Sequence, residues 1–354
     1  MLWPCADVRE KRRLYHHQIW KHGMRAVEMA HTGKPDVLRV VERDIPTIKP
    51  GHLLVKVGAC GVNYADVVRR SGKPYPVPTP CPFILGAEIA GVVMAVGDGV
   101  DRWAEGDTLV ALMDHGGYAE YALVSADAAM PVPSDLLPEI AAALLLQGMT
   151  ALVMLDHVGR LSSGQSVFID GAAGGLGGIA SQIARIFGAA DIVGGVSTPG
   201  KFAEARERGF TDVVDYTAPQ WVDAARDTVG GRGFDLVLHM RGGSAFVDSM
   251  KLLAPGGRLI LYGQASGEPM PIDATIVLGL VPGVAPNTGI LGCYLPGYMQ
   301  DAAFCEAQIK RLIEWVTSGA VSIKISQTLP LEQAAEAHRL IESRTSTGKI
   351  ILKP

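Results

Sequence analysis

This chain of 354 residues has no closely spaced cysteines, no excess of charge of one sign and no uninterrupted apolar run. Its five cysteines, Cys5, Cys60, Cys81, Cys293 and Cys305, are odd in number, widely spaced and never in a C-x-x-C pair. That arithmetic excludes a disulfide framework and a zinc knuckle and fits a reducing compartment, so the expected location is cytoplasmic. Lys and Arg number 32 against 36 Asp and Glu, a net charge of −4, which leaves no basic surface to gather nucleic acid or anionic lipid. The most apolar window, Ile140 to Leu155, is interrupted by Gln147, Gly148 and Thr150. It is shorter than the roughly 20 residues a membrane crossing needs and reads as a core helix. Met1 to His22 mixes Asp7 and Glu10 with Arg9, Lys11, Arg12 and Arg13 and holds no apolar stretch, so no secretory signal is expected.

What is present is glycine and proline, 42 and 22 residues, punctuating short apolar segments. Residues 1–23 read as an appended extension. From Met24 to about Gln147 short β-branched runs alternate with Gly and Pro, the texture of antiparallel strands, and an all-β, barrel-like domain is expected over 24–147. After Gly148 the texture changes. SVFID, DIVGGV, DVVDY, FDLVLHM and GRLILYG are short apolar strands, each followed by a helical segment or a glycine-rich turn, which predicts a parallel sheet with covering helices over 148–289. From about Ile290 the chain is expected to return and complete the first domain through 290–354. The fold class is therefore α/β, a doubly wound parallel sheet plus a β-barrel domain.

Between SVFID and the next helix lies Gly171-Ala172-Ala173-Gly174-Gly175-Leu176-Gly177-Gly178. It is a version of G-x-G-x-x-G with Ala172 in the first glycine's place and Gly174 and Gly177 in the other two. A glycine triplet alone is a weak signal, but here a strand precedes it, and a helix follows with Leu176, Ile179, Ala180, Ile183 and Phe187 on one face and Gly188 as its stop. Bare backbone lets a diphosphate approach, and its charge then meets unpaired N–H groups and the positive end of the helix dipole. A dinucleotide site is expected. An NAD-specific site usually carries an acid at the end of the second strand for the ribose 2′-hydroxyl. That window reads Ile192-Val193-Gly194-Gly195-Val196-Ser197-Thr198; Asp191 opens the strand at the wrong end. Ser197 and Lys201 follow the strand's end and suit a 2′-phosphate, which points to NADPH.

With these residues in hand, the chain resembles the medium-chain dehydrogenase/reductase superfamily, and within it the zinc-free quinone oxidoreductase branch that includes zeta-crystallin. The resemblance runs from about Met24 to Pro354. It rests on CGVNYADVVRRSG (Cys60 to Gly72), LGAEIAGVV (Leu85 to Val93), GGYAEY (Gly116 to Tyr121), QGMTA (Gln147 to Ala151), GAAGGLG (Gly171 to Gly177) and LAPGGRLILYG (Leu253 to Gly263). It implies a GroES-like catalytic domain, a Rossmann domain for NADP(H), and a homodimer joined through the last strands of the nucleotide-binding sheets, where GILGCYL would lie. The superfamily's zinc enzymes place Cys where this chain has Asn63 and His where it has Ala87, so no metal is expected. Without a Lewis acid the chemistry shifts to acceptors whose charge ordinary donors can stabilise, a quinone or an α,β-unsaturated carbonyl.

Carried over by motif, the resemblance implies that Asn63 donates to the substrate oxygen or orients a water and that Thr150 faces the nicotinamide. It implies that Ser197, Lys201 and Tyr216 line the 2′-phosphate side, with Arg344 a weaker candidate for the same charge, and that Gly263 borders the nicotinamide pocket. Several relatives carry Tyr where this chain has Val68, so Tyr75, nearby in KPYPVP, becomes the candidate proton donor, although a ring packed on prolines is the blander alternative. His239 stands where relatives often have an acid, and Met240 and Arg241 also depart from the pattern; a bonded structural histidine is the commoner outcome. These departures keep open a second reading, an NADPH-binding protein with little turnover, either crystallin-like or a cofactor-state sensor.

Overall fold

The computed structural model describes residues 23–354; the expectation of an appended segment before Gly23 falls outside the described residues. Two compact units divide the chain. The first takes the described residues up to Ala142 with Thr328–Arg344 and Ile351–Pro354, and the second takes Ala143–Gln327 with Thr345–Ile350.

In the first unit the chain makes β1 (Met24–Met29), β2 (Leu38–Arg43), β3 (His52–Val62), α1 (Tyr64–Ser71), β4 (Phe83–Ile84), β5 (Glu88–Val96), β6 (Thr108–Leu112), β7 (Tyr121–Ser125) and β8 (Ala129–Pro131). Three strands form a small sheet in the order β2-β1-β4, and β3, β5, β6 and β8 run consecutively through a larger one, with β7 also on β3. The pairs β3–β5, β3–β7, β5–β6 and β6–β8 are all antiparallel, as the strand-and-turn texture predicts. β3 reads as a near-continuous apolar run because Leu53, Leu54, Val55, Val57, Ala59 and Cys60 are all buried, so both of its faces are covered.

The second unit opens within α2 (Pro138–Leu152), which continues without a break as one π-helical stretch, Val153–Val158. Here the sequence expectation needs correcting. The apolar helix is longer than the window Ile140 to Leu155: among the described residues Pro138–Val158, 21 residues, is long and apolar enough to cross a membrane. The expectation of a core helix rests instead on burial: 72% of its most apolar window is buried inside the protein.

The parallel sheet follows: β9 (Ser166–Asp170), α3 (Gly175–Ile186), β10 (Asp191–Val196), α4 (Phe202–Glu207), β11 (Asp212–Asp215), α5 (Trp221–Asp227), β12 (Phe234–His239), α6 (Ala245–Lys251), β13 (Leu253–Leu261), α7 (Ala274–Val277) and β14 (Gly289–Gly292). Its order is β11-β10-β9-β12-β13-β14, every pair parallel. This doubly wound order reverses direction between β9 and β12, the place where such sheets bind ligands beyond their strand ends. Phe168, Trp221, Phe234, Phe246 and Met250 form the core on one face. The remaining elements are α8 (Leu295–Tyr298), α9 (Ala302–Thr317), β15 (Ile325–Pro330), α10 (Ala334–Glu342) and β16 (Lys349–Lys353).

Two expected boundaries shift. The first unit closes at Ala142, not Gln147, and of 290–354 only 328–344 and 351–354 belong to it. The reason is strand pairing: Gly289, Ile290, Leu291 and Gly292 register with Arg258, Leu259, Ile260 and Leu261 of β13, which keeps the segment on the nucleotide sheet.

Candidate nucleotide-binding site and catalytic residues

Asp170 ends β9, and the chain then turns at Gly171 with φ 68°. The Gly174 N–H donates to Gly171 O at 2.9 Å, and Gly174 caps α3 with extended dihedrals. Ala172 is fully buried, and its N–H donates to Gly195 O of β10 at 3.0 Å. Its methyl lies where a side chain on Gly194 would stand, so a bare Gly194 makes room for Ala172 in the first glycine's place. A Cβ on Gly177 would stand 2.4 Å from Gly171 O, and one on Gly175 would stand 2.2 Å from the Gln147 Oε1. The turn is therefore a cradle that side chains would fill. Leu176 lies half-buried in its first helical turn. Gln147 Oε1 is buried and has no hydrogen-bond partner, an orphaned polar atom facing the unpaired N–H end of a helix. Bare backbone and a helix start are what a bound diphosphate needs.

The adenosine side is set by the end of β10. Asp191 lies at the start of that strand, near Arg232 at 3.5 Å; at the other end Asp215 of β11 is in register with Val196, and its Oδ1 accepts from the Thr217 N–H and hydroxyl. Ser197 follows β10, Thr198 takes the N-cap and Pro199–Lys201 makes one 3-10 turn. Tyr216 continues from β11, its N–H donating to Val196 O at 3.0 Å, and its ring edge lies 3.3 Å from where Gly195 would carry a Cβ. Ser197 and Lys201 follow the end of β10, and Tyr216 joins that end through its backbone. Gly263, past β13, lies beside Met240, whose Cβ would be 3.4 Å from a Cβ on Gly263. Arg344 follows α10 with φ 56°, at the end of a first-unit segment.

The His239 question is answered by its bonds. Its ring is fully buried; the Gly242 N–H donates to Nε2 at 3.0 Å, so Nδ1 carries the proton, and it lies 2.9 Å from Asp170 Oδ2 and 2.8 Å from Ser249 Oγ. A histidine with both nitrogens occupied is structural. Burial alone would raise the Asp170 carboxyl, but His239 and the Arg241 guanidinium, 3.0 Å away, hold it below the usual range. Nothing at the sequence level pairs residues 170 and 239; the signal is the adjacency of β9 and β12.

In the first unit Asn63 caps α1 and is buried. Its N–H donates to Asp66 Oδ2 at 2.9 Å, and Nδ2 donates to Gly61 O and to Glu88 Oε2, both at 3.1 Å. The expected donation to substrate therefore requires exchange of one of these bonds. Glu88 and Asp66 are tied into this network, Asp66 Oδ1 accepting also from Gly86 N at 3.3 Å. Among the described residues no group of three or more His, Cys, Asp or Glu is arranged to hold a metal ion. Tyr75 is exposed, and the Arg69 guanidinium carbon lies 5.1 Å from its ring centre. Thr150 lies inside α2, not at a helix start, and its hydroxyl donates to Leu146 O at 2.6 Å.

Comparison with known proteins adds the family. Residues 49–134 match an alcohol dehydrogenase GroES-like domain, and residues 208–352 match a zinc-binding dehydrogenase domain. A 2-haloacrylate reductase of Burkholderia sp is 33% identical over 91% of this chain and 96% of its own length. The rat (Rattus norvegicus) quinone oxidoreductase is 32% identical over 93% and 97%. The chain belongs to the zinc-free quinone oxidoreductase family of the medium-chain dehydrogenases/reductases. Among solved members, the Escherichia coli quinone oxidoreductase, a complex with NADPH, superposes with a TM-score of 0.86 at 28% identity, covering 93% of this chain and all of that one. This family's two-domain plan, a GroES-like unit and a Rossmann unit, is the one described above.

Proposed function

We propose that this protein is an NADPH-dependent reductase that transfers hydride to a quinone or an α,β-unsaturated carbonyl without zinc. The observation that carries the reading is the turn Gly171–Gly177, where a Cβ on Gly175 or Gly177 would meet Gln147 or the main chain and a helix starts, beside a β10 end followed by Ser197 and Lys201 with Tyr216 next to it after β11. The reduced nicotinamide supplies the hydride. The protein's part is to seat the diphosphate at Gly174–Gly177, meet the 2′-phosphate with Ser197, Lys201 and Tyr216, and stabilise the charge that develops on the acceptor oxygen. Asn63 suits the last role once its amide releases Gly61 O or Glu88; Tyr75 and Thr150 are the other hydroxyl candidates. The NADPH-bound E. coli member and the 2-haloacrylate reductase support the cofactor and the class of conjugated acceptor. We also infer a homodimer through β14.

A second reading, an NADPH binder with little turnover, is favoured by one observation: both amide hydrogens of Asn63 are committed within the protein. One experiment separates the two. NADPH is titrated by calorimetry, then its ultraviolet absorbance is followed with a panel of quinones and enones, alongside elemental analysis for zinc. The reductase reading expects acceptor-dependent decay without stoichiometric zinc. Tight binding with flat traces across the panel makes the protein a binder, and no NADPH binding defeats both.

A further inference from the structure

The run His239–Met240–Arg241 closes β12 and leads out of it, and the structure gives it a purpose that the proposed function does not use. Arg241 leaves the end of β12 and crosses toward the end of β11. Its Nε donates to Asp170 Oδ1 at 3.0 Å and Nη2 to Ser249 Oγ at 3.4 Å. Its guanidinium carbon lies 4.5 Å from the ring centre of Tyr216 and 4.8 Å from that of Trp221. The side chain is 15% exposed and Asp170 is wholly buried. Asp170 is itself fixed, because Oδ2 meets His239 Nδ1 at 2.9 Å and accepts from the Met240 N–H at 3.3 Å. A rigid path therefore runs from the last residue before the phosphate turn, through a planar cation, to the ring of Tyr216.

That ring lies over Gly195 at the end of β10, the position from which a doubly wound sheet addresses the adenosine ribose. A phenol on a loop has rotamers to choose from. A guanidinium packed on its face and anchored to a buried carboxylate selects one of them. The Asp170 carboxylate offsets the guanidinium charge, so Arg241 is poorly placed to attract a 2′-phosphate itself. We propose that Arg241 is a positioning residue for coenzyme selectivity: pinned by Asp170, it holds the Tyr216 ring so that the hydroxyl meets the 2′-phosphate. This rests on the reading of the site as an NADPH site with Tyr216 on its 2′-phosphate side.

The test is a double-mutant cycle read by binding, not turnover. Affinities for adenosine 2′,5′-bisphosphate and for AMP are measured by calorimetry in the wild-type protein, Arg241→Met, Tyr216→Phe and the double variant. Arg241→Met should lower the bisphosphate-to-AMP affinity ratio by on the order of tenfold, and should change it no further when residue 216 is Phe. An equal fall in both backgrounds would overturn the proposal, since Arg241 would then act without Tyr216. So would an unchanged ratio with a lower melting temperature, the mark of a purely structural residue. If Arg241→Met does not fold, Arg241→Lys keeps the cation without the planar fork and should lower the ratio in the same direction; an unchanged ratio in that variant counts against the proposal. A Tyr216→Phe protein with an unaltered ratio removes the underlying assignment of Tyr216 instead.

Discussion

At the scale of single residues, the phosphate turn shows which glycines are there for space. Gly177 and Gly175 are both helical, and in an exposed helix replacing glycine by alanine stabilises by about 1 kcal/mol. Here space reverses the sign at one of them. A Cβ on Gly177 would stand 2.4 Å from Gly171 O and 2.9 Å from the Ala172 Cα, both main chain, so the turn itself must move. Gly177→Ala is expected to cost about 1–3 kcal/mol of stability and to weaken NADPH binding by roughly tenfold or more, one lost charge-assisted hydrogen bond being enough for that. At Gly175 the obstacle is the end of the Gln147 side chain, which can swing aside, so Gly175→Ala should keep its melting temperature within a degree or two and lose affinity only. Thermal melts beside calorimetric NADPH titrations of the two variants check the contrast; equal behaviour would mean that the turn is not the rigid cradle described.

At the scale of elements, α10 is locked onto the first unit by a buried polar group. His338 is fully buried; its Nε2 lies 3.2 Å from the Tyr118 hydroxyl, Nδ1 has no partner, and Arg70, also buried, pairs with Glu342 one turn further on. Burial, with the Arg70 charge second, pushes the His338 imidazole down to about 3 from its usual 6.5. The folded state therefore holds His338 neutral where the unfolded chain would protonate it. Its contribution is complete above pH 6.5 and is lost as pH falls toward about 3, with a slope on the order of 1.4 kcal/mol per pH unit within that window. His338→Gln, which has no proton to take up, should flatten the acid limb of a stability-against-pH curve measured by urea unfolding; an unchanged limb would show that other groups govern it. Sequence reading reached such elements unevenly. The helix after the phosphate turn was legible to the residue, its apolar spacing and Gly188 stop matching Gly175–Ile186 with Phe187 as C-cap, because periodicity is a local property. The same local reading leaves the partners of His239 invisible, since Asp170 and Ser249 meet it only once β9, β12 and α6 are packed. Asn63 was found by motif, but its commitment to Glu88 is a contact across 25 positions that no spacing rule reaches.

At the scale of the whole molecule, the nucleotide sheet ends on an open strand. β14 pairs with β13 on one side, and among the described residues no strand covers its other side. Leu291 within it is 36% exposed and Tyr294 just past it 59%, with Leu278 and Leu280 of the same unit exposed still further. An edge strand that carries apolar side chains and neither lysine nor proline is a template for pairing with another chain, and a second copy offers the same strand in return, as a two-fold interface requires. A stable association of this kind buries on the order of 800 Å² on each partner, more than four side chains provide, so flanking loops must take part. The homodimer reading expects the wild-type protein to have the mass of two chains by light scattering, with a melting temperature that rises with protein concentration, because dimer stability is linked to concentration by mass action. Leu291→Lys combined with Tyr294→Lys places like charges opposite their own copies and should reduce the mass to that of one chain and remove the concentration dependence. A wild-type protein that is monomeric at high concentration, or a doubly substituted one that remains a dimer, would place the contact elsewhere and leave these exposed residues without this partner.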